Sequence, residues 1–333
     1  MIKDIIRTYN DKDSIYGNKL TNHLNMGLYA LYELGASDEQ INIYARDYIR
    51  INQLPEVPGM NVTIEDYNFE DYLGMEGYYS SYIPYFRNKF KDQNQEEVVR
   101  KYLNRFIDGS AGGAFHGLIR LAYAYELDDV DELAKALAYF AECYYPFPMT
   151  DAMKSSKHIQ NPITTILDFS NMNYFKQKEF SRPLILGRMK DIYEDIEFAK
   201  VIADIDEDLC TSEYFGELML KLYALTEDFT ILHGLTSTHA LRVLSHLIDD
   251  YPLELKRHWY HLQMAYLSTK CAEIHEVPFV STLMSWKQIN NKVFGVKDVH
   301  TIKLVYSLLQ QSKIVSVDSL YRTMAQLKVE KSY

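Results

Sequence analysis

The chain has 333 residues, 47% of them apolar and 24% charged, which are the values of a folded globular protein. They exclude a disordered chain, a collagen and a small disulfide scaffold. The 46 acidic side chains outnumber the 35 basic ones and leave a net charge of −11, a poor match for nucleic-acid phosphates or an anionic membrane surface.

In chain order, the apolar spacing of Leu24, Leu28 and Leu31 predicts a helix from Leu20 to Leu34. Gly35 stops it, and Ser37-Asp38-Glu39-Gln40 has the pattern of a cap opening the next helix. Pro55, Pro58 and Gly59 make the stretch from Asn52 to Asn61 a loop. Further helices are expected over Ile64 to Leu73, Tyr78 to Phe90 and Glu96 to Ile107. The glycines at 109, 112 and 113 form a turn, followed by helices over Ala114 to Glu126 and Val130 to Tyr145. The segment from Pro146 to Pro162 is the longest irregular one.

The helical period then resumes over Leu184 to Ala203, Thr211 to Leu225, Thr236 to Leu247 and Leu253 to Ile274. It continues over Val280 to Asn291, Val299 to Gln311 and Asp318 to Val329. Alternation of period two occurs only at Lys313 to Val317, too short to found a sheet. There is no fixed-period repeat and no low-complexity linker. The expected architecture is all-α, a single multi-helix domain of about a dozen helices over residues 1–333.

Cys143, Cys210 and Cys271 are odd in number and widely spaced, without a CxxC, which suits reduced thiols rather than a disulfide framework or zinc knuckle. The first residues, Met1-Ile2-Lys3-Asp4-Ile5, form no signal-like apolar stretch, and no apolar run reaches the roughly 18 residues of a membrane span, the most apolar window, Ala111 to Leu127, carrying His116 and Arg120. The expectation is a soluble, cytoplasmic protein. Helix faces that are apolar all round serve either a core or an oligomer interface.

The ten histidines differ in context. His158, His258, His261 and His275 have polar or charged neighbours and are expected at the surface, with His246 intermediate. His23, His116, His233, His239 and His300 lie in apolar helical text. A buried imidazole needs a hydrogen-bond partner or a metal. One such histidine is usually a satisfied core residue, whereas several that converge suit iron, zinc or copper. Neither HExxH nor the Glu-x-x-His of ferritin-like carboxylate sites is present.

His300 and Lys303 share a helix face, either as a surface pair beside Asp298 or with a buried, reactive lysine. Arg120 and Arg242, close in sequence to His116 and His239, suit a buried ion pair or an anionic substrate. No GxGxxG follows a strand, so no cradle for FAD or NADPH is visible. Walker A and Gly-x-Ser-x-Gly patterns are absent too. The 28 tyrosines serve either as core packing or as the wall of a pocket for a flat substrate.

From about Leu20 to Leu309 the chain resembles the questin oxidase-like family. The resemblance rests on Asn22-His23-Leu24, Ala30-Leu31-Tyr32-Glu33-Leu34-Gly35-Ala36 and Phe115-His116-Gly117-Leu118-Ile119-Arg120. It continues in Leu232-His233-Gly234-Leu235-Thr236, Thr238-His239-Ala240-Leu241-Arg242 and His300-Thr301-Ile302-Lys303-Leu304. It implies an oxidoreductase of secondary metabolism. Fungal members open an anthraquinone ring by Baeyer-Villiger-type oxygen insertion with NADPH as reductant, and related ring-cleaving members are non-haem iron oxygenases with histidine ligands and a carboxylated lysine.

Carried over by that resemblance, the candidate iron ligands are His23, His116, His233 and His300, with Lys303 as the carbamylated ligand. His239 is the substitute ligand or an orienting residue. Together with Arg120 it is a catalytic candidate. The implied partners are dioxygen and a small cyclic or aromatic substrate. The alternatives are a metal-free, NADPH-dependent monooxygenase and a non-enzymatic helical protein that binds a flat ligand.

Overall fold

The computed structural model describes residues 2–154, 157–159, 161–315 and 318–332. The chain is all-α as expected, but its helix is cut into eighteen α-helical stretches among the described residues rather than about a dozen. The only strands there are two short pairs, Ile15–Tyr16 with Leu20–Thr21 and Lys157–Ile159 with Ala203–Ile205. No described helix is long and apolar enough to cross a membrane. Packing divides the chain into two units, 1–102 with 119–144 and 279–333, and 103–118 with 145–278.

In the first unit, the helix expected from Leu20 begins only at Leu24. Gly17 and Lys19 take left-handed φ values of 54° and 64°, turning the chain so that Leu20–Thr21 pairs back on Ile15–Tyr16. His23 is thereby the N-cap of Leu24–Glu33. Ser37 and Gln40 form the expected capping box and open Asp38–Asn52.

Ile64 to Leu73 holds only a 3-10 turn, Phe69–Tyr72. Asn68 explains the loss: its side chain accepts from Glu65 N and donates to Thr63 O, bonds that compete with helix. Tyr79–Asp92 packs along Val130–Cys143 as the most extensive pairing of this unit. Leu24–Glu33 packs on Val299–Ser312, which in turn meets Ser319–Glu330. Gly27 makes the first approach close, because a Cβ there would lie 2.9 Å from Val299 Cγ2. The helix expected over Val280 to Asn291 starts at Trp286, behind a Ser285–Gln288 capping box. Lys313 and Ile314 form a turn, and Ser316 and Val317 of the expected alternation lie outside the described residues.

In the second unit, the helix expected over Leu184 to Ala203 is split into Ile185–Tyr193 and Ile196–Val201. Asp195 caps the second piece by accepting from Glu197 N. Ala203–Ile205 then becomes a strand parallel to Lys157–Ile159, inside the segment expected to be irregular. Tyr251–Leu267 packs against this strand, with Trp259 Nε1 donating to Ala203 O at 2.8 Å and Gln263 bonding both backbone groups of Ala203. Phe229–Leu244 starts seven residues earlier than expected, because the Asp228 side chain accepts from Thr230 N and Ile231 N. That extension places His233 inside a helix.

Candidate metal centre

Each candidate ligand sits at or near the start of a helix. His23 is the N-cap of Leu24–Glu33, and its backbone N–H donates to Tyr48 Oη. His300 is the second residue of Val299–Ser312. Within this unit the close passage of these two helices at Gly27 sets the two imidazoles edge to face, with centroids 4.7 Å apart and a ring nitrogen of each within 4.8 Å of the other.

Asp298 fixes the second of them. One carboxylate oxygen accepts from both the His300 backbone N–H and Nδ1, each at 3.1 Å, and the other accepts from Thr301. A carboxylate that accepts from Nδ1 puts the ring's lone pair on Nε2. Burial alone would raise the Asp298 carboxyl, but the bonds from His300 and Thr301 hold it well below the usual carboxylate range. Burial lowers the His300 pKa, which favours the neutral ligand form.

The second unit presents a matching pair. His116 and His233 lie edge to face with centroids 4.9 Å apart, again with a nitrogen of each within 4.8 Å of the other. His116 Nδ1 donates to Gly113 O at 2.6 Å, and His233 Nδ1 donates to Phe229 O at 2.7 Å. A carbonyl only accepts, so both rings carry their proton on Nδ1 and their lone pair on Nε2, the tautomer of His300. The helix bearing His116 starts two residues later than the expected Ala114, at His116 itself. Gly113, Ala114 and Phe115 all take left-handed φ, 57°, 55° and 69°. For the two residues with a Cβ this costs on the order of 1–2 kcal/mol each.

Lys303 is buried, at 1% exposure, one turn along from His300. Burial pushes its ammonium down to about 7, against the opposing charge of Asp298. Of the two sequence alternatives for this residue, the buried lysine is the one observed.

The two catalytic candidates have other settings. Arg120 is buried and pairs with Glu132 at 3.1 Å, with a second donation to Tyr79 Oη. It borders a polar crevice with Asn10, Asn22 and Asn25 that has room for about one water molecule. His239 is buried, and its Nδ1 accepts from Arg242 at 3.2 Å. An arginine only donates, so His239 carries its proton on Nε2, the opposite tautomer to His116, His233 and His300.

Two surface expectations fail. His258 and His261 are 0% and 1% exposed, in the core of the second unit. Their charged neighbours in sequence, Lys256 and Arg257, are carried away by Asp204 and Glu254, and the histidines face inward on the same helix. His275 is exposed as expected, His246 is exposed as well, and the side chain of His158 lies outside the described set. Sequence reasoning also left Asp298 without a role, although its place two residues before His300 fits a cap that also reaches the imidazole.

The model of the family described as questin oxidase-like matches residues 20–308. The chain belongs to the questin oxidase-like family. Membership makes it a relative of oxidoreductases. A search of curated proteins finds no match to the chain.

Proposed function

We propose that this questin oxidase-like protein is a metal-dependent oxygenase of a cyclic or aromatic, polyketide-like metabolite, with His23, His116, His233 and His300 as its candidate iron ligands. The observation that carries the reading is the shared tautomer. His116, His233 and His300 each donate Nδ1–H to a fixed oxygen, so in all three the ring lone pair lies on Nε2. The pairs also stand at ligand spacing within their units. Iron bound by neutral imidazoles would supply activation of dioxygen.

Lys303 adds the anionic ligand in this reading. With its pKa brought to about 7 by burial, a large share of the amine is neutral at physiological pH. A neutral amine adds carbon dioxide and releases a proton, giving a carbamate in place of a buried ammonium. Asp298, Gly113 O and Phe229 O act as orienting acceptors that keep the rings aimed. His239 is a positioning residue in this reading, since its tautomer makes it a donor through Nε2.

The test is metal analysis of untagged protein, wild type beside His116→Ala and Lys303→Ala, with helicity followed by circular dichroism. The expected result is about one iron per chain, lost in His116→Ala and weakened in Lys303→Ala. Full metal retention in His116→Ala, or no uptake by wild type after anaerobic exposure to ferrous iron, overturns the proposal.

A further inference from the structure

Of the two histidines that the structure buries against expectation, His258 has contacts with both ligand-bearing segments of the second unit. The helix Tyr251–Leu267 turns Glu254, His258 and His261 toward the bend that precedes His116. Ser110, at the start of that bend, donates its hydroxyl to Glu254 Oε1 at 3.0 Å. Phe115, at its strained end, sets its ring edge-on against His258, with centroids 5.6 Å apart, and lies 6.4 Å from His261. Phe115 and His116 are adjacent, so whatever fixes the Phe115 ring also fixes the backbone from which the His116 imidazole leaves.

His258 reaches the other ligand helix as well. Its Nε2 lies 3.0 Å from Thr238 Oγ1, and that hydroxyl donates its single proton to Gly234 O at 2.9 Å. The bond between ring and hydroxyl therefore has Nε2–H as donor. Gly234 follows His233 directly. It is packed so closely that a Cβ there would lie 2.8 Å from both Leu262 and Met219. His258 thus touches the residue before one candidate ligand and, through one hydroxyl, the residue after the other.

We infer that His258 is a positioning residue that holds His116 and His233 in their common arrangement. Its ring braces Phe115, and its Nε2–H anchors the helix Phe229–Leu244 through Thr238. Burial pushes the pKa of this imidazole down to about 3 and so favours the neutral ring, while the bond to Thr238 sets which nitrogen holds its proton. A left-handed run at Gly113–Phe115 persists only when its surroundings over-determine it, and His258 is part of that surrounding. The inference rests on the metal-centre reading for the importance of the pair, while the geometry it describes is independent of any metal.

The experiment uses full-length protein labelled with 15N-histidine, first without metal and then titrated with ferrous iron. The variants are His258→Phe, which keeps a ring against Phe115 but removes the donor, and His258→Gln, whose side-chain amide supplies an N–H near the same place. Thr238→Val removes only the hydroxyl and serves if His258→Phe fails to fold. In wild type, ring nitrogen shifts should place the proton on Nε2 of His258 and on Nδ1 of His116 and His233. In His258→Phe, or in Thr238→Val, the His233 signals should move and iron affinity should fall about tenfold or more, with His258→Gln regaining most of it. Unchanged His116 and His233 shifts and unchanged affinity in a folded His258→Phe or Thr238→Val overturn the inference. A wild type with the expected shifts but no iron uptake would sink the metal reading alone and leave the positioning role standing on the shifts.

Discussion

Gly27→Ala tests the helix contact beneath the His23–His300 pair. The new Cβ would lie 2.9 Å from Val299 Cγ2 and 3.4 Å from Tyr44 Cε1. Carbon atoms in contact sit about 3.5–4.0 Å apart, so something must move by roughly 0.6–1 Å. Valine is stiff at χ1 in a helix, so the strain falls on the separation of the two helices. Overpacking of this kind costs about 1–3 kcal/mol, and alanine recovers about 1 kcal/mol over glycine in a helix interior. The net loss is then about 0–2 kcal/mol. The effect on metal binding should be larger than that, because Gly27 lies one turn beyond His23 and Val299 adjoins His300. Ligand distances in a metal site are held within about 0.2 Å, and a displacement several times that misplaces the pair.

A double-mutant cycle of Gly27→Ala and Val299→Ala in urea, with an iron titration of each variant, measures both effects. The expected pattern is a loss in Gly27→Ala that is partly restored by Val299→Ala, with a coupling on the order of 1 kcal/mol. If Gly27→Ala were as stable as wild type, bound iron equally well and showed no coupling to Val299, the close approach would have no part in assembling the pair.

Two further predictions concern buried charge. Lys303 binds its proton less readily when folded, near 7, than at its ordinary 10.5, so between those values the unfolded chain holds more protons and stability rises with pH; below 7 the deficit is constant. Lys303→Met should therefore stabilise the metal-free protein at neutral pH and flatten its stability profile from pH 7 to 10, and an unchanged slope in chemical denaturation would contradict the assignment. Arg120→Ala leaves Glu132 buried and unpaired and should cost about 3–5 kcal/mol, most of it regained in Arg120→Met with Glu132→Leu; an Arg120→Ala variant of full stability and no activity would instead make Arg120 catalytic.

The helical class and the residues of the two histidine pairs were legible in sequence, for different reasons. Apolar periodicity reports helices directly, and the Ser37–Gln40 box marked one helix start to the residue. Other boundaries went astray where a single polar side chain decided them. Asn68 closes a turn in place of a helix, Asp195 splits one helix into two, and Asp228 starts another early enough to include His233. The motif resemblance singled out His23, His116, His233 and His300, but pairing is a property of packing and no local pattern contains it. His258 and His261 show the converse error. Lysine and arginine beside a histidine suggest solvent, yet on a helix adjacent residues face different directions, and Asp204 and Glu254 draw the charges aside. The left-handed run at 113–115 was hidden because alanine and phenylalanine there violate local preference, as residues at functional sites often do.

The Asp298 carboxylate binds the first N–H groups of a helix and the His300 ring at once. Helix initiation and imidazole orientation are therefore a single event in folding. The rotamer entropy of that side chain, up to about 1 kcal/mol for a group of this kind, is lost as the chain folds and not when an ion arrives. If the proposed metal binds there, fold stability is lower for it and capture is stronger, so a chain relieved of selection for binding would drift toward an apolar residue at position 300 and become a more stable protein with nothing to hold.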